Sequence, residues 1–286
     1  MRKKRICIYA CITGMLLVIL SGCGEREVMS SDILTSLPKE DNNAFLYVTE
    51  TDVRSELSNP QRIDLSQCEE EILIEKGGEY LLTGSCYYPI KVDTHDEIVH
   101  LFLDNVNIET TTGPALEVVS GGKVVITLLE DSVNTFYDAA YYSNKELNAA
   151  ISSACDLTIN GSGILYVCGI YKDAIHSKDV LKILGGQVQV KAKRYGLKGN
   201  DGIVLSAENV IIESEKNGCQ TSNADKDGKG IIDIRGGNVS IVAGEYALSS
   251  VADVYIRDGH VNMNSVIADI HAEGQQYIAE GTIDNE

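Results

Sequence analysis

The sequence predicts an all-β chain wound as a single-stranded, right-handed parallel β-helix, and three observations predict it. The first is a phrase that returns. "YKDAIHSKDVLKI" (Tyr171 to Ile183) overlays "RYGLKGNDGIVLS" (Arg194 to Ser206) when slid by 22 residues, pairing Ile175 with Leu197 and Asp179 with Asp201. The second is that strands of the form apolar-x-apolar-x-Gly/Asn begin at Leu101, Val125, Leu157, Leu181, Ile203, Ile232 and Val254, in steps of 24, 32, 24, 22, 29 and 22 residues. A period near 22 with two lengthened copies is the mark of a solenoid. The third is the alternation in "QVQV" and "NVSI". A period of two means strands rather than helices, and Gly-Gly, Asn-Gly and Asp-Gly corners suit short strands joined by tight turns.

Taken in order, the chain opens on the basic residues Arg2 to Arg5, the apolar run Ile6 to Leu20, and then Ser21-Gly22-Cys23. This pattern predicts a signal peptide over residues 1–22, ending in a lipobox whose Cys23 accepts lipid. The alternative is an uncleaved membrane anchor, but the run of fifteen residues is shorter than the roughly 20 that span a bilayer. The expected address is the extracellular face of the cell membrane, with the protein exported and lipid-anchored. Residues 23–60 read as the acylated cysteine, a polar tether from Gly24 to about Ala44, and the start of an N-terminal cover from Phe45 to Leu65. Residues 61–270 read as coil, and 271–286 as a cap or frayed tail.

Within the coil a second set of strands carries one large apolar residue followed two places later by a small one. Ile151, Ile175, Leu197, Cys219 and Leu248 are expected to stack as an interior ladder, because successive coils lie about 4.8 Å apart. Ser153, Ser177, Gly199, Thr221 and Ser250 are expected to stack where the walls come close. No Trp and only 3 Phe fit a thin interior of Val, Ile and Leu.

Charge narrows the partners. Residues 1–22 carry four positive charges and no acid, so their removal takes the net charge from −18 to −22. Such an acidic chain excludes nucleic acid and anionic membrane surfaces as partners, and it meets an acidic polymer only through a cation or a local basic strip. Five cysteines follow Cys23 (Cys68, Cys86, Cys155, Cys168 and Cys219), an odd number with no Cys-x-x-Cys spacing. They read as buried apolar thiols before a disulfide framework or a zinc site. His95, His100, His176, His260 and His271 show no ligand spacing and read as surface residues.

"VDTHDEIVHLFLDNVNIETTTGPALEV", "NAAISSACDLTINGSG", "YKDAIHSKDVLKILGG" and "ADKDGKGIIDIRGGNVSI" together resemble the bacterial carbohydrate-binding β-helix family of the clostridial cellulose- and polygalacturonate-binding type. The resemblance covers about residues 62–264. It implies a pectate-lyase-like coil, calcium on its flank, glycan binding and no established catalysis. Typical members carry Asp-Gly at several successive strand starts as the implied calcium ligands. Here Asp173 keeps the acid, while the next coils have Tyr195, Asn217 and Tyr246 in its place. Tyrosine is no ordinary ligand for a hard cation, which wants carboxylate or carbonyl oxygen.

The candidate sites follow. Asp179 and Asp201 occupy one place in neighbouring coils, where stacked carboxylates repel unless bridged. Calcium completed by Asn200 would bridge them; otherwise they form a solvated column with Lys178 and Lys198 stacked beside it as counter-charge. Asp225 and Asp227 lie in "NADKDGKG", a second metal loop or a plain polar turn. "NTFYDAAYYSNKELN" (Asn134 to Asn148) is the longest excursion from the coil. Its Tyr141 and Tyr142, with Tyr171 and Tyr195, are candidates to stack on sugar rings, with Lys178 and Lys198 as polar contacts, or they cover coil edges. The reading is a single-copy surface lipoprotein that binds plant-type polysaccharide, cellulose or pectate, with calcium and without catalysis. Alternatives are an adhesin or stiff spacer, and a calcium-dependent lyase whose base would come from Lys172, Lys178, Arg194 or Lys198, the residues that also form the candidate basic strip.

Overall fold

Parallel strands, each paired with its counterpart one coil earlier and one coil later, build the three walls of a β-solenoid. The structure, a computed structural model, describes residues 46–224 and 228–284. The signal peptide, Cys23, the tether as far as residue 45, and Asp225 and Asp227 lie outside the described residues. The first wall runs through Lys123–Leu128, Leu157–Gly161, Val180–Ile183, Gly202–Leu205, Ile231–Ile234, Val254–Ile256 and Gln276–Ile278. The second runs through Val133–Tyr137, Ile164–Gly169, Gln187–Ala192, Asn209–Ser214, Asn238–Ala243 and His260–Ser265. The third holds nine strands from Ile72–Ile74 to Ala268–Ala272. Two long strands, Gly78–Cys86 and Ile98–Glu109, serve the first and second walls in turn. They turn the corner at Gly84 and Asn105, whose positive φ of 81° and 56° bends the chain without ending the strand.

The interior is the predicted ladder. Ile151 pairs with Ile175, Ile175 with Leu197, Leu197 with Cys219 and Cys219 with Leu248, and all are fully buried. Burying five such side chains contributes on the order of 2 kcal/mol each. The narrow ladder is also present and has a polar purpose. Ser153 and Ser177 both donate to the Cys155 carbonyl, and Thr221 and Ser250 both donate to that of Gly230. A Cβ on Gly199 would collide with the backbone oxygen of Gly202, so the ladder admits no side chain there.

Three boundaries differ from the sequence reading. Val124, not Val125, stands opposite Leu157, and Leu101 stands opposite Ile126. A run of apolar residues such as "KVVITL" carries no alternation to fix its phase. The coil continues past residue 270: Gln276–Ile278 pairs with Val254–Ile256, and Val261 bridges Ile283. The segment from Leu46 to Arg54, expected to cover an end of the coil, lies along the side of the first wall. Among the described residues, Gln61–Asp64 pairs with Gly78–Cys86 at the starting edge, and Leu65 of the 3-10 turn Leu65–Gln67 joins the core.

That side segment, a strap, covers an outward column of the first wall in which His100, Val125, Thr158, Lys182, Val204, Asp233, Tyr255 and Tyr277 stack in register. Its short helix Glu50–Val53 presents Asp52, which is fully buried. Asp52 Oδ1 accepts from Lys123 Nζ at 2.8 Å and Thr158 at 2.7 Å; Oδ2 accepts from Lys182 Nζ at 3.0 Å and from Thr49. Burial alone would push this carboxyl up, but Lys182, Lys123 and Thr158 outweigh it and hold the group below the usual carboxylate range. Burial pulls Lys182 down in spite of Asp52. The strap backbone is held as well: Lys182 donates to the Tyr47 carbonyl, Asn160 to those of Asp52 and Arg54, and Arg235 to that of Leu46.

Candidate functional site

The outward face of the third wall is a column of polar side chains. Lys91, Glu117, Ser152, His176, Lys198, Gln220, Ser249 and His271 stack in register. Beside it runs the corner between the second and third walls, where Arg194 N donates to the Lys172 carbonyl and Lys216 N to that of Arg194. Lys172, Arg194 and Lys216 therefore stand in three successive coils, about 4.8 Å apart. Glu245 N bonds the Lys216 carbonyl and its side chain pairs with Lys216 at 3.0 Å, closing the cationic row.

The insertion adds to this corner. Val133–Tyr137 belongs to the second wall, so the excursion begins only at Asp138. Tyr142 is fully buried, donating to Asp138 Oδ2 at 2.6 Å and to the Ala149 carbonyl at 2.9 Å. Burial pushes Asp138 up to about 6 despite the bonds from Tyr142, Ile170 and Tyr171. Tyr171 stacks on the Tyr142 ring at 4.4 Å. Tyr142 is thus the peg that docks the insertion, and its ring is unavailable to a glycan. The neighbouring Tyr141 points the other way, 67% exposed, with Lys145 Nζ 3.6 Å from its centroid. Lys172 faces Tyr171 at 4.7 Å, and the Arg194 guanidinium faces Tyr195 at 4.8 Å.

His176, expected at the surface, is buried within this site between Asn148 (2.8 Å) and Asn200 (3.1 Å). Burial, helped by Lys198, lowers it from 6.5 to about 4, so the ring is neutral at pH 7. Lys198 is itself lowered by burial and by Arg194, against the pull of Asp173. Lys198 stacks on His176, whereas Lys178 lies exposed beyond the end of strand Asp173–Ser177, so the two lysines are not stacked as expected. His100 is buried too, under the strap.

The expected calcium ligands are engaged. Both oxygens of Asp173 are taken by the Arg194 fork, Nε at 2.7 Å and Nη2 at 2.6 Å, and the bond to Asp173 raises Arg194 further. Asp201 lies beside Asp179 as read, its N–H bonding the Asp179 carbonyl. Its own oxygens, however, face Lys229 at 2.9 Å and Asn223 at 2.6 Å. Asn200 Oδ1 faces His176 and Ser222. Asp179 keeps the repulsion: burial, then Asp156 and Asp201, push it up. Among the described residues no three His, Cys, Asp or Glu converge to hold a metal. As placed, Asp173 and Asp201 do not fit calcium, because arginine and lysine already stand against their oxygens; Asp225 and Asp227 lie outside the described residues.

The cationic row of the corner carries its ring partners on a fold that relatives share. A family profile described as carbohydrate-binding domain-containing protein matches residues 68–284. A carbohydrate-binding domain-containing protein of Acetivibrio thermocellus is 34% identical over 292 residues, covering 99% of this chain and 98% of the relative. The chain belongs to the carbohydrate-binding domain-containing protein family. Within solved structures, a polysaccharide lyase-like protein from C. thermocellum, determined as a gadolinium derivative, superposes with a TM-score of 0.74 at 33% identity. That superposition covers 78% of this chain and 97% of the other. The matched span of the family takes in the whole corner, from Tyr141 to Lys216. Two members of that corner, Lys145 and Lys216, escaped the sequence reading. Lys216 was legible, since it follows Arg194 by the same 22 residues that separate Arg194 from Lys172. Lys145 was not, because an insertion has no repeat to place it.

Proposed function

We propose that the protein binds an acidic plant-type polysaccharide of the pectate kind along the corner row and does not cut it. The carrying observation is the basic corner of Lys145, Lys172, Arg194 and Lys216 on a chain of net charge −18. Arg194 and Lys216 are each met by an acid, Asp173 and Glu245, so the charge left to face an anion is that of Lys172 and Lys145. Lys145 and Lys172 meet tyrosine faces rather than carboxylates, which leaves their charge for a ligand. Tyr141 and Tyr171 offer rings against the C–H face of a sugar. Cys23 would tether the protein to the outer membrane face.

The test is affinity electrophoresis in polygalacturonate. Retardation is expected to persist in chelator and to fade with salt, which screens exposed charges over about 8 Å at physiological strength. Binding abolished by chelator would sink the side-chain reading in favour of a metal held elsewhere.

One observation favours a second reading, a lyase. Lys198 is a half-buried lysine of lowered proton affinity beside Asp173 and Arg194, and a lysine so placed suits a base. Arg194, locked on Asp173, does not. Unsaturated, ultraviolet-absorbing ends released from polygalacturonate, and lost in Lys198→Met, would establish cleavage.

A further inference from the structure

The outward face of the second wall is unlike the other two. Its six strands from Val133–Tyr137 to His260–Ser265 run in continuous parallel register, and each turns three alternate residues outward, eighteen in all. Every one of them is exposed or half-buried. The middle column, Thr135, Tyr166, Gln189, Ile211, Ser240 and Asn262, holds no charge. With His260 counted neutral, the charged residues of the face are Lys191 and Glu213, in the column beside the basic corner, and they bond each other at 2.8 Å. On a chain that carries 42 acids and a net charge of −18, this face sums to zero.

What such a face can dock against follows from its groups. Six of the eighteen are primary amides, Gln187, Gln189, Asn209, Asn238, Asn262 and Asn264. An amide offers a donor and an acceptor at once, so a face rich in amides complements itself. A twofold interface demands that self-complementarity, because the same patch stands on both sides. Ile164, Tyr166, Ile211 and Val242 supply apolar area among the amides, and a charge-free centre with charge at the rim is how interfaces are built. Acids elsewhere on the chain repel a second copy, whereas this face has no excess charge to do so. Six strands about 4.8 Å apart and five residues long make a plane of roughly 24 by 17 Å. Two such planes come to about 800 Å² before side-chain relief is added, close to the ~1,000 Å² that a specific interface needs.

We propose that the second wall is a docking surface for a second copy of this chain, the two sheets packing face to face about 10 Å apart. The proposal goes beyond the glycan reading and does not depend on it. A pair would take the place of the single copy that the sequence suggests, and it would carry two corner rows. A long polymer engaging both rows gains avidity without any new kind of contact.

The experiment is sedimentation velocity of the full chain in a neutral detergent, over a range of protein concentrations. The wild type is expected to sediment as a dimer. Ile211→Glu adds an acid to each of the two facing middle columns and is expected to weaken the dimer by ~10-fold or more. Ser240→Glu does the same with a smaller change at the sheet, and it carries the test if Ile211→Glu lowers the melting temperature. Leu73→Glu, at an exposed apolar residue of the third wall, is expected to leave the dimer intact. A wild type that stays monomeric at ~100 μM overturns the proposal and leaves the corner reading standing. So does a dimer that Ile211→Glu and Ser240→Glu leave unchanged, or one that Leu73→Glu weakens as much.

Discussion

The first and third walls are built from the same repeat, yet their outward faces meet different fates. On the first wall the strap roofs the column: Lys182 donates to the Tyr47 carbonyl and Thr158 to Asp52 Oδ1, while Val125 and Val204 are fully buried. A continuous relay runs under the roof. Arg54 donates to His100 Nδ1, His100 Nε2 faces Thr127 at 2.6 Å, Thr127 donates to Asn160, and Asn160 donates to the Asp52 carbonyl. On the third wall no described segment crosses the column from Lys91 to His271, and its neighbours are the cations and rings of the corner. An identical scaffold thus carries a buried ion-pair cluster on one side and the proposed binding surface on the other. The difference lies in what covers the side chains, not in the strands that carry them.

The sharpest way to break the comparison is Asp52→Ala. It leaves Lys182, only 3% exposed, as a charge without its carboxylate, and such a loss costs about 3–5 kcal/mol. A large drop in melting temperature and new proteolysis between residues 46 and 60 are expected. Lys198→Ala on the open wall is expected to cost about 1 kcal/mol or less. Equal melting temperatures for the two variants would mean that the strap contributes nothing.

Acid sharpens the comparison next. His100 under the strap and His176 on the open wall are both lowered from 6.5 to about 4, chiefly by burial. Below pH 6.5 the unfolded chain takes up protons that the folded one refuses. Stability is therefore lost as pH falls from about 6.5 to about 4, by up to about 3 kcal/mol per histidine. His100→Gln and His176→Gln should each flatten that limb in urea titrations. Asp138 runs the other way. Its carboxyl is raised from 3.8 to about 6, so its penalty appears as pH rises from about 4 to 6 and stays constant above. Asp138→Asn should remove that rise.

Smaller effects are expected at the corner itself. Lys145→Gln with Lys172→Gln should weaken polygalacturonate binding several-fold in low salt and little in high salt, each exposed contact being worth under about 1 kcal/mol. Melting temperature should not move. Equal weakening of a neutral oligosaccharide would show that the rings, not the charges, carry the corner. Cys23→Ala, read by membrane fractionation, is expected to release the protein.

The walls, the buried ladder from Ile151 to Leu248 and the tight ladder through Gly199 were determined by the sequence itself. A solenoid stacks each residue on its own counterpart one coil away, so a period of 22 along the chain is already a contact map. The cationic row belongs to the same class, being spaced by that period. Tertiary structure decided everything that breaks the repeat. Asp52 finds Lys123, Thr158 and Lys182 across 71, 106 and 130 residues, and no periodicity links a four-residue helix to them. Tyr141 and Tyr142 are chemically alike in sequence, yet one is 67% exposed and the other fully buried, because only one can reach Asp138. Asp173 read as a metal ligand until Arg194, in the next coil, closed on both of its oxygens. A repeat specifies which coil a residue joins, but the direction of a side chain, and whichever charge arrives first, is settled only when the coils pack.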